Sequence, residues 1–214
     1  MKIAIIGASG KSGRLIWEEA IKRGHSIVAF VRDPSKVVDL KAESIIAKNI
    51  LDITFDDLKN VDVAVDAFGV WAPEELILHE TSLKHLSDIL SGKKTRLIVV
   101  GGAGSLYTDK SHKMQVFESP GFPDAFKPLA VHMANGLKAL RERADVKWTY
   151  ISPACDFQPD GIRTGSYKIG GEEVTVNSAG NSYISYADYS IAVVDEIEKS
   201  SYIQKRFTVV GESR

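Results

Sequence analysis

The chain has 214 residues, long enough for one large domain, and its hydrophobic fraction of 44% is sufficient for a core of ordinary size. Its 27 basic and 28 acidic residues leave a formal net charge of −1, which argues against nucleic acid as the main partner. The single cysteine, Cys155, cannot form an internal disulfide, and the short apolar run at residues 2–6 is neither a membrane span nor a signal peptide, so we expect a cytoplasmic protein without membrane contact.

Short apolar strands alternate with helical patterns along most of the chain. Strands are predicted at residues 2–6, 26–31, 44–47, 62–67, 97–100, 147–152 and 206–210, and helices at residues 12–23, 74–90, 125–143 and 186–199. Such alternation is typical of βαβ units. We therefore predict an α/β fold of Rossmann type, with a doubly wound parallel sheet that is covered on both faces.

The segment at residues 153–186 has a different composition, rich in glycine, proline and serine. Within it, two short strands at residues 166–169 and 173–176 are predicted to form a hairpin across a pair of glycines. No repeat or linker interrupts the chain, so we predict a single domain at residues 1–214. The segment at residues 153–186 would form a small, irregular C-terminal substrate lobe above the sheet.

The sequence GASGKSG follows the first strand and contains two nucleotide-binding patterns. Its letters GKS match the end of a P-loop, but a P-loop needs a glycine five positions before its Gly-Lys pair, and that position is Ile5. Gly7, Gly10 and Gly13 instead follow the spacing of a dinucleotide fold: one for the tight turn, one for close approach of the pyrophosphate and one for helix–strand packing. The residues predicted to bind the dinucleotide here are Gly7, Ser9, Gly10, Lys11, Ser12 and Gly13.

The end of the second strand indicates which dinucleotide is bound. NAD folds place an acidic residue there for the ribose, whereas this chain has Arg32, whose guanidinium suits a 2′-phosphate. Lys11 and Lys36 would add positive charge. Two alternatives stay open, because Asp33 could accept from a ribose hydroxyl and Arg32 could be a solvated surface residue. We predict that NADP(H) is preferred over NAD(H), and that residues 153–186 cover the cofactor cleft.

Five stretches of the chain resemble a known family. They are GASGKSG, VRDP, GGAGS, GIRTGSY and SYISYADY, at residues 7–13, 31–34, 101–105, 161–167 and 182–189. On these stretches the chain resembles the atypical short-chain dehydrogenase/reductases. More narrowly, it resembles their NADH-flavin reductase group, whose relatives are biliverdin reductase B and the NmrA-like NAD(P)-binding proteins. The similarity extends over almost the whole chain.

The resemblance implies further cofactor contacts near the carboxyl ends of strands, the side where open α/β sheets bind ligands. These residues are Asp52, Phe68, Gly69, Gly101, Gly102, Pro153 and Ala154. Asp52 would lie near the adenine, Phe68 and Gly69 near the nicotinamide ribose, and Pro153 and Ala154 near the nicotinamide. For Asp52 an alternative stays open, in which it caps a short helix at residues 55–58.

The catalytic pattern of the larger superfamily is missing. Its typical members use a Tyr-x-x-x-Lys pair on the helix before the sixth strand, and this chain has His132 and Gly136 at those places. We predict His132 as a proton relay or ring-stacking group, or alternatively as a helix histidine satisfied by a neighbour. Ser105 and Tyr107 are predicted to line the mouth of the pocket, unless they are ordinary loop residues.

The rest of the pocket is less marked in the sequence. Four aromatic residues would form either pocket walls or core, namely Trp71, Phe122, Phe126 and Phe157. The five histidines have no metal-ligand spacing, so we expect no metal site.

These residues predict an NAD(P)H-dependent reductase that transfers hydride to a small planar acceptor such as FMN, FAD or a quinone. Hydride transfer to a flat, electron-poor ring depends on positioning, and solvent can supply the proton. The alternative is a non-catalytic, NmrA-like sensor that binds NADP(H). A sugar-nucleotide epimerase is disfavoured because it needs the missing tyrosine. The oligomeric state is expected to be a monomer or a homodimer.

Overall fold

The computed structural model describes residues 1–212 of the chain. Its strands are β1 (Lys2–Ile6), β2 (Ser26–Val31), β3 (Ser44–Ala47), β4 (Val63–Asp66), β5 (Arg96–Val100), β6 (Trp148–Ser152), β7 (Asp156–Gln158), β8 (Lys168–Gly170), β9 (Tyr183–Ser185) and β10 (Lys205–Val210). Its α-helices are α1 (Lys11–Lys22), α2 (Phe55–Leu58), α3 (Leu78–Ile89), α4 (Lys127–Arg141) and α5 (Tyr186–Lys199).

Eight strands form the main sheet, in the order β3-β2-β1-β4-β5-β6-β10-β8. All neighbours in it are parallel except β8, which runs antiparallel to β10. The strand order reverses between β1 and β4, where the chain winds first to one side and then to the other. The predicted Rossmann-type, doubly wound sheet is therefore confirmed.

Helices cover both faces of this sheet. The helices α1 and α5 pack together on one face, and α3 and α4 pack together on the other. Successive residues of β1 point to opposite faces of the sheet. Ile3 and Ile5 pack in the hydrophobic core under α1 and α5, whereas Ala4 and Ile6 pack in the core under α3 and α4. Burial on both faces explains why the strands are continuous apolar runs without alternation. Within residues 1–212, no helix has the length and apolarity needed to cross a bilayer.

Two predicted helices begin later than expected, because a 3₁₀ turn precedes each of them. The chain at Pro73–Glu75 forms a 3₁₀ turn, and α3 begins only at Leu78. Another 3₁₀ turn at Asp124–Phe126 leads into α4, with a proline in its first turn. Proline is tolerated there because the first amides of a helix have no intrahelical acceptor.

The predicted hairpin between residues 166–169 and 173–176 is wrong. The strand β8 pairs instead with β10, in the register Thr208 with Gly170, and so covers the outer edge of the main sheet. Gly170 permits this packing, because a Cβ there would lie 1.9 Å from Thr175 Oγ1 and 2.7 Å from Thr208 Cγ2. Pairing with β10, a strand that is remote in sequence, therefore takes the place of the predicted local hairpin.

The segment at residues 153–186 is attached to α5 through a buried carboxylate. Its strands β7 and β9 form a separate parallel pair. Asp188, in the first turn of α5, is 1% exposed and accepts from the backbone N–H groups of Thr164 and Gly165 at 2.9–3.1 Å. The Thr164 hydroxyl donates to the same carboxylate at 2.7 Å. One side chain therefore holds the loop at residues 164–165 against the first turn of α5.

We expect Asp188→Ala to destabilise the protein by about 2–4 kcal/mol, because it leaves buried N–H groups without an acceptor. Urea unfolding would measure the change in the free energy of unfolding. The matched control is Asp56→Ala, which removes an 84% exposed carboxylate and should cost less than about 1 kcal/mol. Equal small losses in both variants would contradict the anchoring role.

Candidate functional site

The glycine turn after β1 lies against the carboxyl end of β4. Gly7 has a φ of +79°, and a Cβ at this residue would lie 2.6 Å from the carbonyl oxygen of Ala67. Its N–H donates to the carbonyl oxygen of Phe30, in β2, at 3.1 Å. The turn is thus seated where the strand order reverses, which is the ligand-binding crevice of open α/β sheets.

The N-terminus of α1 is left open for an anion. Its N-cap is Gly10, which provides no side-chain cap within the described residues, and its first turn holds no acidic residue. The hydroxyl of Ser12 is buried and has no hydrogen-bond partner among residues 1–212. By contrast, Ser185 caps α5 by accepting from Asp188 N. Unpaired donors at a helix N-terminus suit phosphate oxygens, so these residues fit a dinucleotide pyrophosphate.

The other glycines of the turn differ in what surrounds them. A Cβ at Gly13 would lie 2.4 Å from the carbonyl oxygen of Gly7, so α1 packs directly on the turn. A Cβ at Gly10 would meet only that same oxygen, at 3.3 Å. Gly10 is therefore exposed and much less crowded than Gly13, which serves packing. This geometry fits the role predicted for each, with Ser9 half-buried beside them.

The end of β2 presents a free cation and an occupied carboxylate. Arg32 is exposed and forms no hydrogen bond or ion pair with any residue between 1 and 212. Asp33 instead caps a short 3₁₀ helix, where its Oδ1 accepts from Ser35 N at 3.0 Å and from the Ser35 hydroxyl at 2.7 Å. These hydrogen bonds keep the pKa of Asp33 below its usual value. The alternative role for Asp33, accepting from a ribose, would compete with them.

Asp52 does not cap the helix that follows it, so that alternative is wrong. The N-terminus of α2 is closed by Asp57, whose Oδ2 accepts from Thr54 N at 2.8 Å and from the Thr54 hydroxyl at 2.9 Å. Asp52 is exposed, with only a long contact of 3.4 Å from the Asn49 side-chain amide. Its carboxylate is accessible, as the predicted adenine contact requires.

The ends of β5 and β6 are tightly packed around Tyr150. A Cβ at Gly101 would lie 2.1 Å from this ring, and one at Gly102 would lie 3.0 Å from Met133 Sδ. The Tyr150 hydroxyl accepts from Gly102 N at 3.2 Å. Gly101 and Gly102 thus have a packing reason that the sequence did not reveal. Pro153 and Ala154, which follow β6, are buried.

His132 is paired with a carboxylate of the neighbouring helix. Its Nδ1 lies 2.6 Å from Glu80 Oε1 in α3, and the same oxygen accepts from the Asn135 amide at 3.1 Å. This arrangement fits the alternative of a histidine satisfied by a neighbour. At Gly136 a Cβ would lie 3.1 Å from the carbonyl oxygen of His79, so the close approach of α3 and α4 leaves little room for a lysine.

Ser105 does not lie at an accessible pocket mouth, contrary to the prediction. It is 3% exposed, and its hydroxyl accepts from the Arg206 guanidinium at 3.3 Å. Tyr107 is half-buried and stacks on His112, with ring centroids 4.3 Å apart. Its N–H donates to the carbonyl oxygen of Glu172, so the main chain of Tyr107 ties its loop to the segment after β8.

A polar cluster that the sequence did not predict lies beneath the crevice. Asp66, the last residue of β4, is 6% exposed and accepts from Phe68 N at 3.1 Å. Burial raises the pKa of Asp66 to about 7. A cavity of about 20 Å³ separates Asp66 from three other polar side chains, those of His79, Ser82 and Tyr150. An aspartate at the end of the otherwise apolar strand VAVD was a signal in the sequence, whereas its three neighbours come from remote elements.

Fold and site together define a nucleotide-binding protein of the Rossmann class. The chain belongs to the NAD(P)H-binding family, whose model matches residues 7–197. This membership confirms the predicted nicotinamide-dinucleotide class, in agreement with the open N-terminus of α1.

Individual proteins are similar over the whole length. YwnB of Bacillus subtilis (strain 168), described as uncharacterized, is 47% identical over 214 residues, covering 100% of both chains. A crystal structure from Streptococcus pneumoniae TIGR4 titled "a putative NADH-flavin reductase" superimposes with a TM-score of 0.95 at 45% identity, covering 99% of this chain and 100% of that one. The crystal structure of a "putative epimerase" from Bacteroides thetaiotaomicron superimposes with a TM-score of 0.86 at 31% identity, covering 100% of this chain and 98% of that one.

We expect Asp66→Asn to change how stability depends on pH. An unfolded aspartate loses its proton near pH 4, whereas folded Asp66 keeps it to about pH 7. Between these values the native state binds the extra proton, so the wild-type protein loses stability as the pH rises, by up to about 1.4 kcal/mol per pH unit from this residue. The variant should not lose stability in this way, so its free energy of unfolding should rise relative to that of the wild type up to about pH 7.

Urea unfolding of both proteins at a series of pH values would measure this difference. The control is Asp62→Asn, which alters an exposed carboxylate just before β4, at the opposite end from Asp66, and should retain the wild-type pH dependence. Parallel profiles for the wild type and Asp66→Asn would contradict the assignment.

Proposed function

We propose that this protein is an NAD(P)H-dependent reductase that transfers hydride to a flavin, a quinone or a similar planar acceptor. The observation that carries the cofactor half of this proposal is the open N-terminus of α1. There Gly10 is exposed, and the Ser12 hydroxyl is buried without a partner in the described chain. When bound, the reduced nicotinamide supplies the hydride, and the protein supplies its position.

The surroundings of the crevice support a planar acceptor. Position 132 is a histidine paired with Glu80, and position 136 lies in the contact between α3 and α4, so the tyrosine–lysine couple of ketone reduction has no counterpart. A flat ring needs little acid–base help, because its reduction depends mainly on orientation against the nicotinamide. Trp71 follows β4 and is 69% exposed, and Phe126 precedes α4 and is 53% exposed. Both offer apolar faces for such a ring.

Two of the four aromatic residues are less exposed than Trp71 and Phe126. Phe157 stacks on Tyr186 with ring centroids 3.8 Å apart and also packs against Tyr189, so it belongs to the interior. Phe122 is half-buried. The acceptor site that we propose therefore involves Trp71 and Phe126.

The segment at residues 156–167 would cover the cofactor. Asp160 lies 3.4 Å from Lys11 Nζ, at the N-terminus of α1, and both side chains are well exposed. Arg163 pairs with Glu19, also on α1, at 2.9 Å. An exposed pair at this distance is weak, so the segment can separate from Lys11 at little cost. This arrangement supports the lobe as a cover for the cofactor cleft.

Selection of NADP(H) would rest on Arg32. It is an exposed arginine without a partner in the described residues, and it follows the strand that ends beside the glycine turn. The hydrogen bonds from Ser35 leave Asp33 less available for a ribose hydroxyl. A guanidinium can bind a 2′-phosphate through two parallel hydrogen bonds, which NAD(H) cannot offer.

Replacing Arg32 with alanine should weaken binding of NADPH roughly tenfold to a hundredfold and binding of NADH less than about threefold, because only NADPH carries the 2′-phosphate. Titration calorimetry or nicotinamide fluorescence would measure both affinities. Lys199→Ala is the matched control, since it removes a charge from the C-terminal end of α5 and should change neither. Equal losses for NADH and NADPH would reject the role of Arg32.

NADPH mixed with FMN or a quinone should lose its nicotinamide absorbance at a rate proportional to the protein concentration. The control is Gly10→Val, because its side chain would project into the space proposed for the pyrophosphate while the backbone conformation there remains accessible to valine. Purified in the same way, this variant should lose the activity, which excludes a contaminating reductase.

Binding of NADPH without turnover of any planar acceptor would reject the reductase and favour the alternative, a non-catalytic NADP(H) sensor.

A further inference from the structure

We propose that Asp66 is a redox-linked proton site: its carboxyl group keeps a proton while the neighbouring nicotinamide is reduced and releases it when the ring is oxidised. This inference rests on the proposed function, and it adds a residue outside the acid–base pattern expected from the superfamily. It is carried by the place of Asp66 in the sheet and by the cavity beside it.

Asp66 lies at the centre of the crevice floor. In the sheet it is in register with Ile6, the last residue of β1, and with Val99 of β5, so it lies beside the reversal of the strand order. The glycine turn touches the residue that follows it, since a Cβ at Gly7 would lie 2.6 Å from Ala67 O. A dinucleotide that binds along the turn and crosses this reversal passes above the end of β4.

The carboxyl group has one direct partner and one free side. Its Oδ1 accepts from Phe68 N at 3.1 Å, and no other hydrogen bond to Asp66 is formed within residues 1–212. The adjoining cavity measures about 20 Å³, enough for one water molecule, which needs about 10–15 Å³ and two to four polar partners. Ser82 lines the cavity, and so does Tyr150, whose hydroxyl accepts from Gly102 N. A water here would connect Asp66 to both hydroxyl groups.

The titratable side chains that face Asp66 are neutral near pH 7, so the charge of the bound cofactor decides whether Asp66 keeps its proton. From α3, His79 faces the cavity, and burial lowers its pKa, aided by nearby His132 on α4. From β6, Tyr150 faces it, and burial raises the pKa of that hydroxyl to about 12. Both side chains are therefore neutral near pH 7. Arg206 and Arg141 are near enough to act on Tyr150 as well, and their positive charges lower its pKa against the effect of burial.

A buried carboxyl with neutral neighbours responds strongly to a new charge. Burial raises the pKa of Asp66 to about 7 against the opposing effect of the hydrogen bond from Phe68 N, so the proton is bound or released near neutral pH. A positive charge above the end of β4, which the oxidised nicotinamide ring carries and the reduced ring lacks, favours the carboxylate. Asp66 would therefore hold its proton beside the reduced ring and lose it beside the oxidised ring.

The reaction balances with this assignment. The C–H bond of the dihydronicotinamide breaks and its hydride forms a bond with the planar acceptor, so the nicotinamide is oxidised and the acceptor reduced. The O–H bond of Asp66 breaks, and its proton passes through the cavity water to solvent as the acceptor takes up one proton. Exchange of the oxidised for the reduced cofactor lets Asp66 take a proton back.

Titration calorimetry in buffers of different ionisation enthalpy tests this without turnover, because it counts the protons released on binding. NADP⁺ and NADPH would each be titrated into the wild-type protein at about pH 6, below the pKa of Asp66. A 2′-phosphate also titrates near pH 6, but it is common to both nucleotides and cancels in their difference. We expect NADP⁺ to release more than half a proton in excess of NADPH.

Two variants locate the source of that proton. Asp66→Asn should abolish the excess release and, at pH 8, weaken NADP⁺ relative to NADPH roughly tenfold, because a favourable charge pair is lost. Asp62→Asn should behave as the wild type. Equal proton release for the two nucleotides in the wild type, or an excess that persists in Asp66→Asn, would overturn the inference. Failure of both nucleotides to bind the wild type would instead reject the proposed function.

Discussion

The position of the whole site depends on one close approach of backbones, between the turn after β1 and the end of β4. A Cβ at Gly7 would lie 2.6 Å from Ala67 O, and the positive φ of Gly7 disfavours other residues as well. Because α1 begins at Lys11, four residues after Gly7, the approach fixes its open N-terminus over the reversal of the strand order. That contact therefore sets the crevice, the site proposed for the pyrophosphate and the end of β4 that carries Asp66 in one arrangement.

Glycine serves the same physical purpose elsewhere in the site. Gly13 lets α1 rest on the turn, Gly101 lets the ring of Tyr150 cross the end of β5, and Gly136 lets α4 approach α3. The last of these also bears on chemistry, since position 136 belongs to a lysine in the larger superfamily. Here helix packing uses the position, and His132 pairs with Glu80 instead of serving a tyrosine–lysine couple.

The strands and long helices were predictable from the sequence because their apolar periodicity is local. The turn GASGKSG was predictable too, since its strand and helix adjoin it. The hairpin prediction failed because β8 is recruited by the open edge of β10, about 40 residues away in the chain. Ser105 was misplaced because the arginine that buries it, Arg206, comes from β10. Both of these errors involve a partner that is remote in sequence.

The sequence by itself determined the fold class and the presence of a nicotinamide-dinucleotide turn, since both depend on short-range spacing of glycine and apolar residues. Only the tertiary structure decided which polar groups are isolated from water. Asp66, His79, Ser82 and Tyr150 come from three separate elements, and they meet around one cavity only when β4, β6 and α3 pack. Burial shifts the pKa of Asp66, and burial is a property of the assembled fold rather than of the strand that carries the residue.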